Sequence, residues 1–281
     1  MSSLRLKVRH YRAYPQNGFL GHESEEVQID IARAAFVLVD VYGLGFSAED
    51  EVADPLPALL SWTVEQERDV TVGKIRPALE AARSVRLPII YACNSAPRIA
   101  LAQSEFAKQI KRSSNMAFEE ICSEDTIDPR EYHYGSSRFL KHSKIIEPQA
   151  TDYYVRKLYY SAFKDTRLDA LLRNLGTKTI VFVGYAMDVC LHCTMIDALS
   201  LNYEVLFLRD CTLSDVETLP GETTGSYGFT ERIVVWTEIN VGRSATSEEF
   251  IRACQAVVSA EEQVESASLT SVREPAREGK R

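Results

Sequence analysis

TIVFVGYAMDVCLHCTMIDALSL, residues 179 to 201, is the stretch of sequence that decides the fold. It begins with a β-favouring apolar run at positions 180 to 183, which Gly184 interrupts. Apolar residues then resume at roughly helical spacing from Val189 onward. The pattern predicts a buried strand, a tight turn and a helix.

Cys190 falls at the start of this predicted helix. Unpaired backbone N–H groups and the positive end of the helix dipole favour a negative charge there. A thiol in that position is biased toward the thiolate, the form that attacks a carbonyl carbon. Alternatively, Cys190 is a small buried apolar residue. The stretch alone leaves both interpretations open.

Length and composition limit the class of protein. A chain of 281 residues, 45% of them hydrophobic, can bury a large core, and one α/β domain fits best. The net charge of −8 argues against nucleic acid or an anionic membrane as partner. No signal peptide or membrane-spanning run is recognisable, so we expect a soluble, cytoplasmic protein whose six cysteines are reduced.

Further apolar runs predict the remaining strands, and helical patterns lie between several of them. Strand, helix and strand in succession form the parallel crossover unit. We therefore expect a Rossmann-like, three-layer α/β/α fold around a mainly parallel, six-stranded sheet. Its strands are expected at 34–40, 89–93, 152–157, 180–183, 203–208 and 232–239.

Three segments lie outside this regular pattern. Residues 1–30 are polar and predict an N-terminal arm laid over the domain or over a neighbouring subunit, which leaves residues 31–258 as the domain itself. An irregular insertion at about 98–150 is expected at the rim of a site or at an oligomer contact. Residues 259–281 predict a disordered tail. The histidines of the insertion, His133 and His142, are interpreted as surface residues rather than ligands.

Three side chains with complementary chemistry lie at the ends of different predicted strands. Asp40 and Lys157 each end a strand, and Cys190 follows a third one. Ligands of parallel sheets bind outside the carboxyl ends of the strands. A thiol, a carboxylate that accepts its proton and a cation are the groups that acyl transfer needs. Taken singly, each residue has a structural alternative: Asp40 as a cap of the next loop, and Lys157 as a solvated strand end.

The order of three motifs resembles the isochorismatase-like cysteine hydrolase superfamily. These motifs are VLVDVYGLGF, then VRKLYYSAF, and then GYAMDVC, which has the form Gly-x-x-x-Asp-x-Cys. The resemblance covers about residues 31–212 and includes the positions of Asp40, Lys157 and Cys190. It implies the isochorismatase-like fold and a catalytic triad of Asp40, Lys157 and Cys190.

The resemblance also implies a mechanism. Cys190 would attack an amide or carbamoyl carbon and form a thioester, while Asp40 takes the thiol proton and passes it to the leaving amine. Lys157 would hold Asp40 and the thiolate in register. The backbone N–H groups of Ala186 and Cys190 would form the oxyanion hole, with a cis peptide bond between Tyr185 and Ala186.

This sequence departs from the superfamily pattern at two positions. Tyr42 stands where relatives often have glutamine, and Met187 replaces the usual threonine before Asp188. Nicotinamidase-type relatives hold a metal through Asp-x-His after the second strand, whereas Asn94 and the residues that follow it offer no such ligands. We therefore expect no catalytic metal and no other cofactor.

The expected substrate is a small molecule with an amide, ureide or carbamoyl C–N bond, because the branch that cleaves the vinyl ether of isochorismate lacks the cysteine. Relatives commonly form dimers or higher oligomers, so a homo-oligomer, either dimer or tetramer, is expected. Several aromatic side chains are candidates to line the pocket, and each has the alternative interpretation of a core residue. The candidate substrate contacts are Phe46, Asn94, Tyr159 and Tyr185, and Trp62 is a further aromatic candidate.

Other functions remain open from the sequence. Cys190 and Cys193 have the C-x-x-C spacing of thioredoxin-type redox proteins, and with His192 between them they weakly suggest zinc. An isochorismatase-type hydrolase of a non-amide substrate is another alternative. A non-catalytic relative that only binds a ligand is a further alternative, although such a protein does not need Asp40, Lys157 and Cys190 together.

Overall fold

The computed structural model of the chain describes residues 2–15, 17–43, 45–50, 64–94, 104–105, 108–109, 112, 142–214 and 228–271, with residues 265–271 as backbone only. The strands are β1 (Ser3–Arg12), β2 (Gly21–Asp30), β3 (Ala34–Val39), β4 (Ile89–Asn94), β5 (Tyr153–Lys157), β6 (Thr179–Gly184), β7 (Glu204–Leu208) and β8 (Arg243–Ala245). The α-helices are α1 (Val64–Val70), α2 (Arg76–Ser84), α3 (Leu168–Asn174), α4 (Cys190–Ser200), α5 (Gly228–Asn240) and α6 (Ser247–Ser271). A π-helical turn (Thr71–Ile75) joins α1 to α2. Two 3₁₀ turns lie at Ile31–Arg33 and Lys144–Ile146.

The strands form one sheet in the order β2-β1-β8-β7-β6-β3-β4-β5. Neighbours from β8 to β5 are parallel, and β1 is antiparallel to both β2 and β8. The mainly parallel sheet is thus confirmed, with eight strands rather than six. Because β3 lies between β6 and β4, the residues that follow these three strands meet at one edge of the sheet.

Helices cover both faces of the sheet, which confirms the three-layer α/β/α architecture. Along β3, alternate side chains face opposite cores, as expected for an extended strand. Phe36 and Leu38 pack with α2 and α6, whereas Val37 and Val39 pack with α3, α4 and α5. All these side chains are fully buried, so the strand that precedes Asp40 is rigidly held on both faces.

The N-terminal arm is a β-hairpin that extends the sheet. Leu4, Leu6 and Val8 are buried, whereas the intervening Arg5 and Lys7 are exposed, which is the two-residue period of a half-buried strand. The outer strand β2 carries four acidic residues and exposes half of its ten residues, as suits a sheet edge that avoids pairing with other chains.

The predicted sixth strand, RIVVWTEI at 232–239, is wrong, because these residues lie in helix α5. The buried positions of this helix are Thr230, Val234, Thr237 and Glu238, and their spacing is helical. Trp236 is 44% exposed. Three of the four buried residues are polar, and an aromatic residue is exposed, so the helix lacks the usual apolar face. Its many β-branched residues therefore suggested a strand.

The C-terminal helix starts at the predicted place but is much longer. Thr246 Oγ1 accepts a hydrogen bond from the Glu249 amide at 3.1 Å, and Glu249 Oε2 accepts one from the Thr246 amide at 2.7 Å, which forms a capping box. The helix continues to Ser271, so the disordered tail predicted from Ser259 is wrong up to that residue. No helix among the described residues is long and apolar enough to cross a membrane.

Candidate active site

The three residues predicted at strand ends lie together. Asp40 directly follows β3, Lys157 ends β5 and Cys190 begins α4. Lys157 Nζ is 2.7 Å from Asp40 Oδ2 and 3.5 Å from Cys190 Sγ. The burial of the cation is almost complete, because Lys157 is 1% exposed. A carboxylate, an ammonium and a thiol therefore share one buried site.

The backbone around these residues is unusual in two places. Asp40 has a φ of 50°, in the left-handed region that few non-glycine residues adopt, and such conformations concentrate at functional sites. At the end of β6, Gly184 has a φ of 121°. One residue further along the chain, the peptide bond between Tyr185 and Ala186 is cis, as the resemblance implied. The chain therefore turns sharply where β3 and β6 end beside each other.

Lys157 keeps its charge because it has acceptors on several sides. Its ammonium donates to Asn94 Oδ1 at 2.8 Å and to the Tyr159 carbonyl at 3.2 Å, besides the ion pair with Asp40. Burial lowers the pKa of Lys157, but the Asp40 carboxylate, together with the Cys190 sulfur whenever it is ionised, outweighs burial and raises the pKa above its ordinary value. The surroundings of the ammonium therefore favour its charged form.

The Cys190 thiol keeps its proton in the resting site. Burial raises its pKa, the Lys157 charge opposes this effect, and the charge of Asp40 and a hydrogen bond to it add to the increase. The bias toward thiolate that we expected from the helix start is thus outweighed. The arrangement is electrically neutral, with one cation, one carboxylate and a neutral thiol. It stays neutral if the thiol proton moves to Asp40, so this transfer does not bury a net charge.

Two backbone N–H groups beside the thiol are open. Within the described part of the chain, the amides of Ala186 and Cys190 donate to no acceptor, whereas those of Val189 and Leu191 both donate to the Ala186 carbonyl at 3.1 Å. Unpaired amides at a helix start suit a developing oxyanion. The oxyanion hole at Ala186 and Cys190 remains a prediction that this geometry favours.

Two of the candidate substrate contacts have protein partners. The side chain of Asn94 accepts from Lys157, so it supports the cation. Tyr185 is 2% exposed, and its hydroxyl pairs with Thr71 Oγ1 at 2.8 Å, which ties the turn after β6 to the helix above it.

The other aromatic candidates have less defined roles. Tyr159 is half-buried beside the site, where its carbonyl accepts from Lys157. Phe46 is half-buried in the loop after β3 and packs near Gly43. Trp62 lies outside the described residues. Substrate contact by these side chains therefore stays a prediction.

Sequence reasoning missed the residue that holds Asp40. The Tyr42 hydroxyl donates to Asp40 Oδ1 at 2.8 Å, and the Asn94 amide donates to the same oxygen at 3.2 Å and to the Tyr42 oxygen at 2.9 Å. Burial, followed by the charge of Asp40, raises the pKa of Tyr42, so the hydroxyl remains a donor. The departure from glutamine at this position was the available signal.

The interpretation of His142 as a surface residue is wrong. Its ring is half-buried, and it packs against Tyr42, Tyr91 and Tyr154 at centroid distances of 5.8, 5.1 and 6.0 Å. Nδ1 lies 2.9 Å from the Val41 carbonyl, and Nε2 lies 3.7 Å from Cys93 Sγ. Aromatic neighbours that are distant in sequence hold this histidine, so its local sequence gave no indication. His133 lies outside the described residues.

The C-x-x-C segment shows no redox or metal geometry in the described ranges. Cys190 and Cys193 are free thiols, and burial raises the pKa of Cys193. His192 packs against Trp236 at a centroid distance of 4.8 Å, away from any second ligand pair. No group of three or more His, Cys, Asp and Glu side chains in this part of the chain could hold a metal ion.

The chain is similar in sequence to ureidoacrylate amidohydrolases named RutB. It is 26% identical to the protein of Agrobacterium fabrum over 188 residues, which cover 67% of this chain and 79% of that protein. A shorter segment of 67 residues is 42% identical to the protein of Serratia proteamaculans, covering 24% of this chain and 27% of that one.

A solved structure shares the fold. The cysteine hydrolase from Pseudomonas syringae pv. phaseolicola matches with a TM-score of 0.62 and 23% identity, covering 82% of this chain and 95% of that one. A family model described as the Isochorismatase domain matches residues 61–218, a range that includes Lys157 and Cys190. Since the match covers more than half of the chain, this protein belongs to the isochorismatase family.

Proposed function

We propose that this chain is an amidohydrolase that uses Cys190 as a nucleophile on the C–N bond of a small amide, ureide or carbamoyl compound. The contact that carries the proposal is the buried Asp40–Lys157 ion pair at 2.7 Å, with the Cys190 thiol 3.5 Å from the same ammonium. The similarity to ureidoacrylate amidohydrolases supports C–N cleavage as the class of reaction.

The first half of the proposed reaction forms a thioester. Cys190 Sγ attacks the carbonyl carbon of the substrate while the thiol proton passes to Asp40 Oδ2. The charge that develops on the carbonyl oxygen faces the amides of Ala186 and Cys190. As the tetrahedral intermediate collapses, Asp40 returns the proton to the leaving nitrogen, the C–N bond breaks and ammonia or an amine departs.

The second half restores the free thiol. A water molecule attacks the thioester carbonyl, and Asp40 takes one of its protons. Collapse of the second intermediate breaks the C–S bond, and Asp40 gives its proton to the departing sulfur. Lys157 stabilises the thiolate whenever it is present, which suits a cation whose pKa is raised by both neighbours. No proton is gained or lost by the trio over the cycle.

Ammonia release tests this proposal. A panel of small amides, ureides and carbamoyl compounds is assayed with the wild type, Cys190→Ala and Cys193→Ala, each with a chelator present. We expect release by the wild type and by Cys193→Ala, with a loss in Cys190→Ala of about a thousandfold or more. Release that survives in Cys190→Ala contradicts a cysteine nucleophile, and equal loss in both variants favours a redox dithiol.

A further inference from the structure

The two oxygens of Asp40 have different surroundings. Oδ1 accepts from the Tyr42 hydroxyl at 2.8 Å and from the Asn94 amide at 3.2 Å. Oδ2 lies 2.7 Å from Lys157 Nζ, and the hydrogen bonds from Tyr42 and Asn94 both go to the other oxygen. Because Oδ1 is occupied, a proton that arrives from the thiol is directed to Oδ2.

Two residues in the last part of the insertion, His142 and Ser143, hold Tyr42 in place. The Ser143 amide donates to the Tyr42 carbonyl at 2.7 Å, and the His142 ring stacks on the Tyr42 ring at a centroid distance of 5.8 Å. His142 Nδ1 donates to the Val41 carbonyl at 2.9 Å. Tyr42 is itself 6% exposed, so its ring has little freedom to move and its hydroxyl is fixed on Asp40.

We propose that Tyr42 is a positioning residue, whose hydroxyl orients the Asp40 carboxylate and stabilises its ionised form so that Oδ2 receives the Cys190 proton. The inference deepens the proposed function and rests on the roles given there to Asp40 and Cys190. Tyrosine at this position supplies a hydroxyl donor that reaches Asp40 Oδ1 at 2.8 Å.

Five titratable or charged groups from neighbouring elements face Tyr42 and Asp40. Lys157 and Tyr154 come from β5, Cys190 from α4, Cys93 from β4, and His142 from the segment before the second 3₁₀ turn. Burial raises the pKa of Cys93 and of Tyr154 and lowers that of His142, so all three are neutral around neutral pH.

The test is the rate of Cys190 alkylation by iodoacetamide, followed by peptide mass mapping from acidic to alkaline pH. The proteins compared are wild type, Tyr42→Phe, Asp40→Asn and the double variant. We expect Tyr42→Phe to move the acidic midpoint of the profile upward by roughly one pH unit, because the carboxylate loses one donor but keeps the Asn94 amide. In the Asp40→Asn background the same substitution should leave the profile unchanged, since Tyr42 acts through Asp40.

Tyr91→Phe is the matched control. Tyr91 is fully buried on β4, and its hydroxyl is hydrogen-bonded to the Ile146 carbonyl at 2.7 Å and to Arg83 at 3.2 Å rather than to a member of the trio. Phenylalanine keeps the ring that packs against His142, so loss of the hydroxyl alone should leave the midpoint in place. An unmoved midpoint in Tyr42→Phe, or an equal shift with and without Asp40, overturns the proposal. Alkylation needs no substrate, so this result is independent of whether ammonia release is found. Thermal unfolding of each variant verifies that the compared proteins are folded.

Discussion

Lys157 is costly to bury, and its neighbours explain why the chain tolerates it. An ammonium that is 1% exposed loses its hydration, and only a charge partner with further acceptors compensates that loss. Asp40 supplies the charge, while the Asn94 side chain and the Tyr159 carbonyl supply the remaining acceptors. Apolar residues of similar volume would stabilise this core at least as well as the buried ion pair. The presence of Lys157 is therefore better explained by a role in the chemistry of the site than by stability.

Replacing Lys157 with methionine keeps most of the side-chain volume but leaves the Asp40 carboxylate buried without its cation. We expect the free energy of unfolding to fall by about 3 kcal/mol and turnover to fall a hundredfold or more, on the order of the loss of an acid–base group. Urea denaturation and ammonia release measure the two effects. Lys178→Met is the control, because the half-exposed Lys178–Glu204 pair should contribute no more than about 0.5 kcal/mol. Equal losses in the two variants would count against a special role for Lys157.

The catalytic candidates were predictable at the residue scale because each follows a recognisable strand. Their hydrogen-bond partners were not. Tyr42 is two residues from Asp40, yet its donor role depends on how the chain turns at a φ of 50°. The sequence around Cys190 also left open whether its thiol is reactive or simply buried. Burial raises the pKa of Cys190 and opposes the effect of the helix start, and burial depends on the whole fold.

At the scale of elements, Gly184 allows β6 to end against β3. A Cβ atom on Gly184 would lie 2.0 Å from the Val39 carbonyl oxygen and 2.8 Å from the Val39 nitrogen, both of which are backbone atoms that cannot move aside. The same carbonyl accepts a hydrogen bond from the Tyr185 amide at 2.8 Å. The strand-to-helix turn that carries Cys190 therefore requires glycine at its start.

Gly184→Ala should destabilise the protein by about 3 kcal/mol or more, because both the positive φ and the backbone contact exclude a side chain. The matched variant is Gly73→Ala, at an exposed position in the π-helical turn where a Cβ has no neighbour within 4 Å. There the change should be neutral or stabilising by up to about 1 kcal/mol. Chemical denaturation of both variants measures the difference, and similar stabilities would refute the close approach of β6 to β3.

Most elements followed from local pattern, and the failures have a common physical cause. The parallel strands are continuous apolar runs, and this signal is strong because both of their faces are buried. Helix α5 was mistaken for a strand because its buried face carries Thr237 and Glu238, whose burial only tertiary partners make acceptable. The alternation of Leu4, Leu6 and Val8 was a visible strand signal that the surrounding charges obscured.

At the scale of the whole molecule, long-range contacts join the N-terminal hairpin to the domain. Glu238 of α5 is 4% exposed, and it pairs through Oε1 with Arg9 Nε at 2.7 Å and through Oε2 with His22 Nε2 at 2.9 Å. Arg9 and His22 each lie more than 200 positions from Glu238 in sequence, so no local pattern could relate them to it. The homo-oligomer expected from the superfamily stays a prediction.

If Cys190 carries the substrate's acyl group during turnover, acid quenching of the enzyme while it releases ammonia from a substrate should trap a thioester. Peptide mass mapping of the quenched wild type should find the acyl group on Cys190 and on no other cysteine. The same treatment of Cys190→Ala should give neither an adduct nor ammonia. An adduct on a different residue, or undiminished ammonia release by Cys190→Ala, would contradict the account.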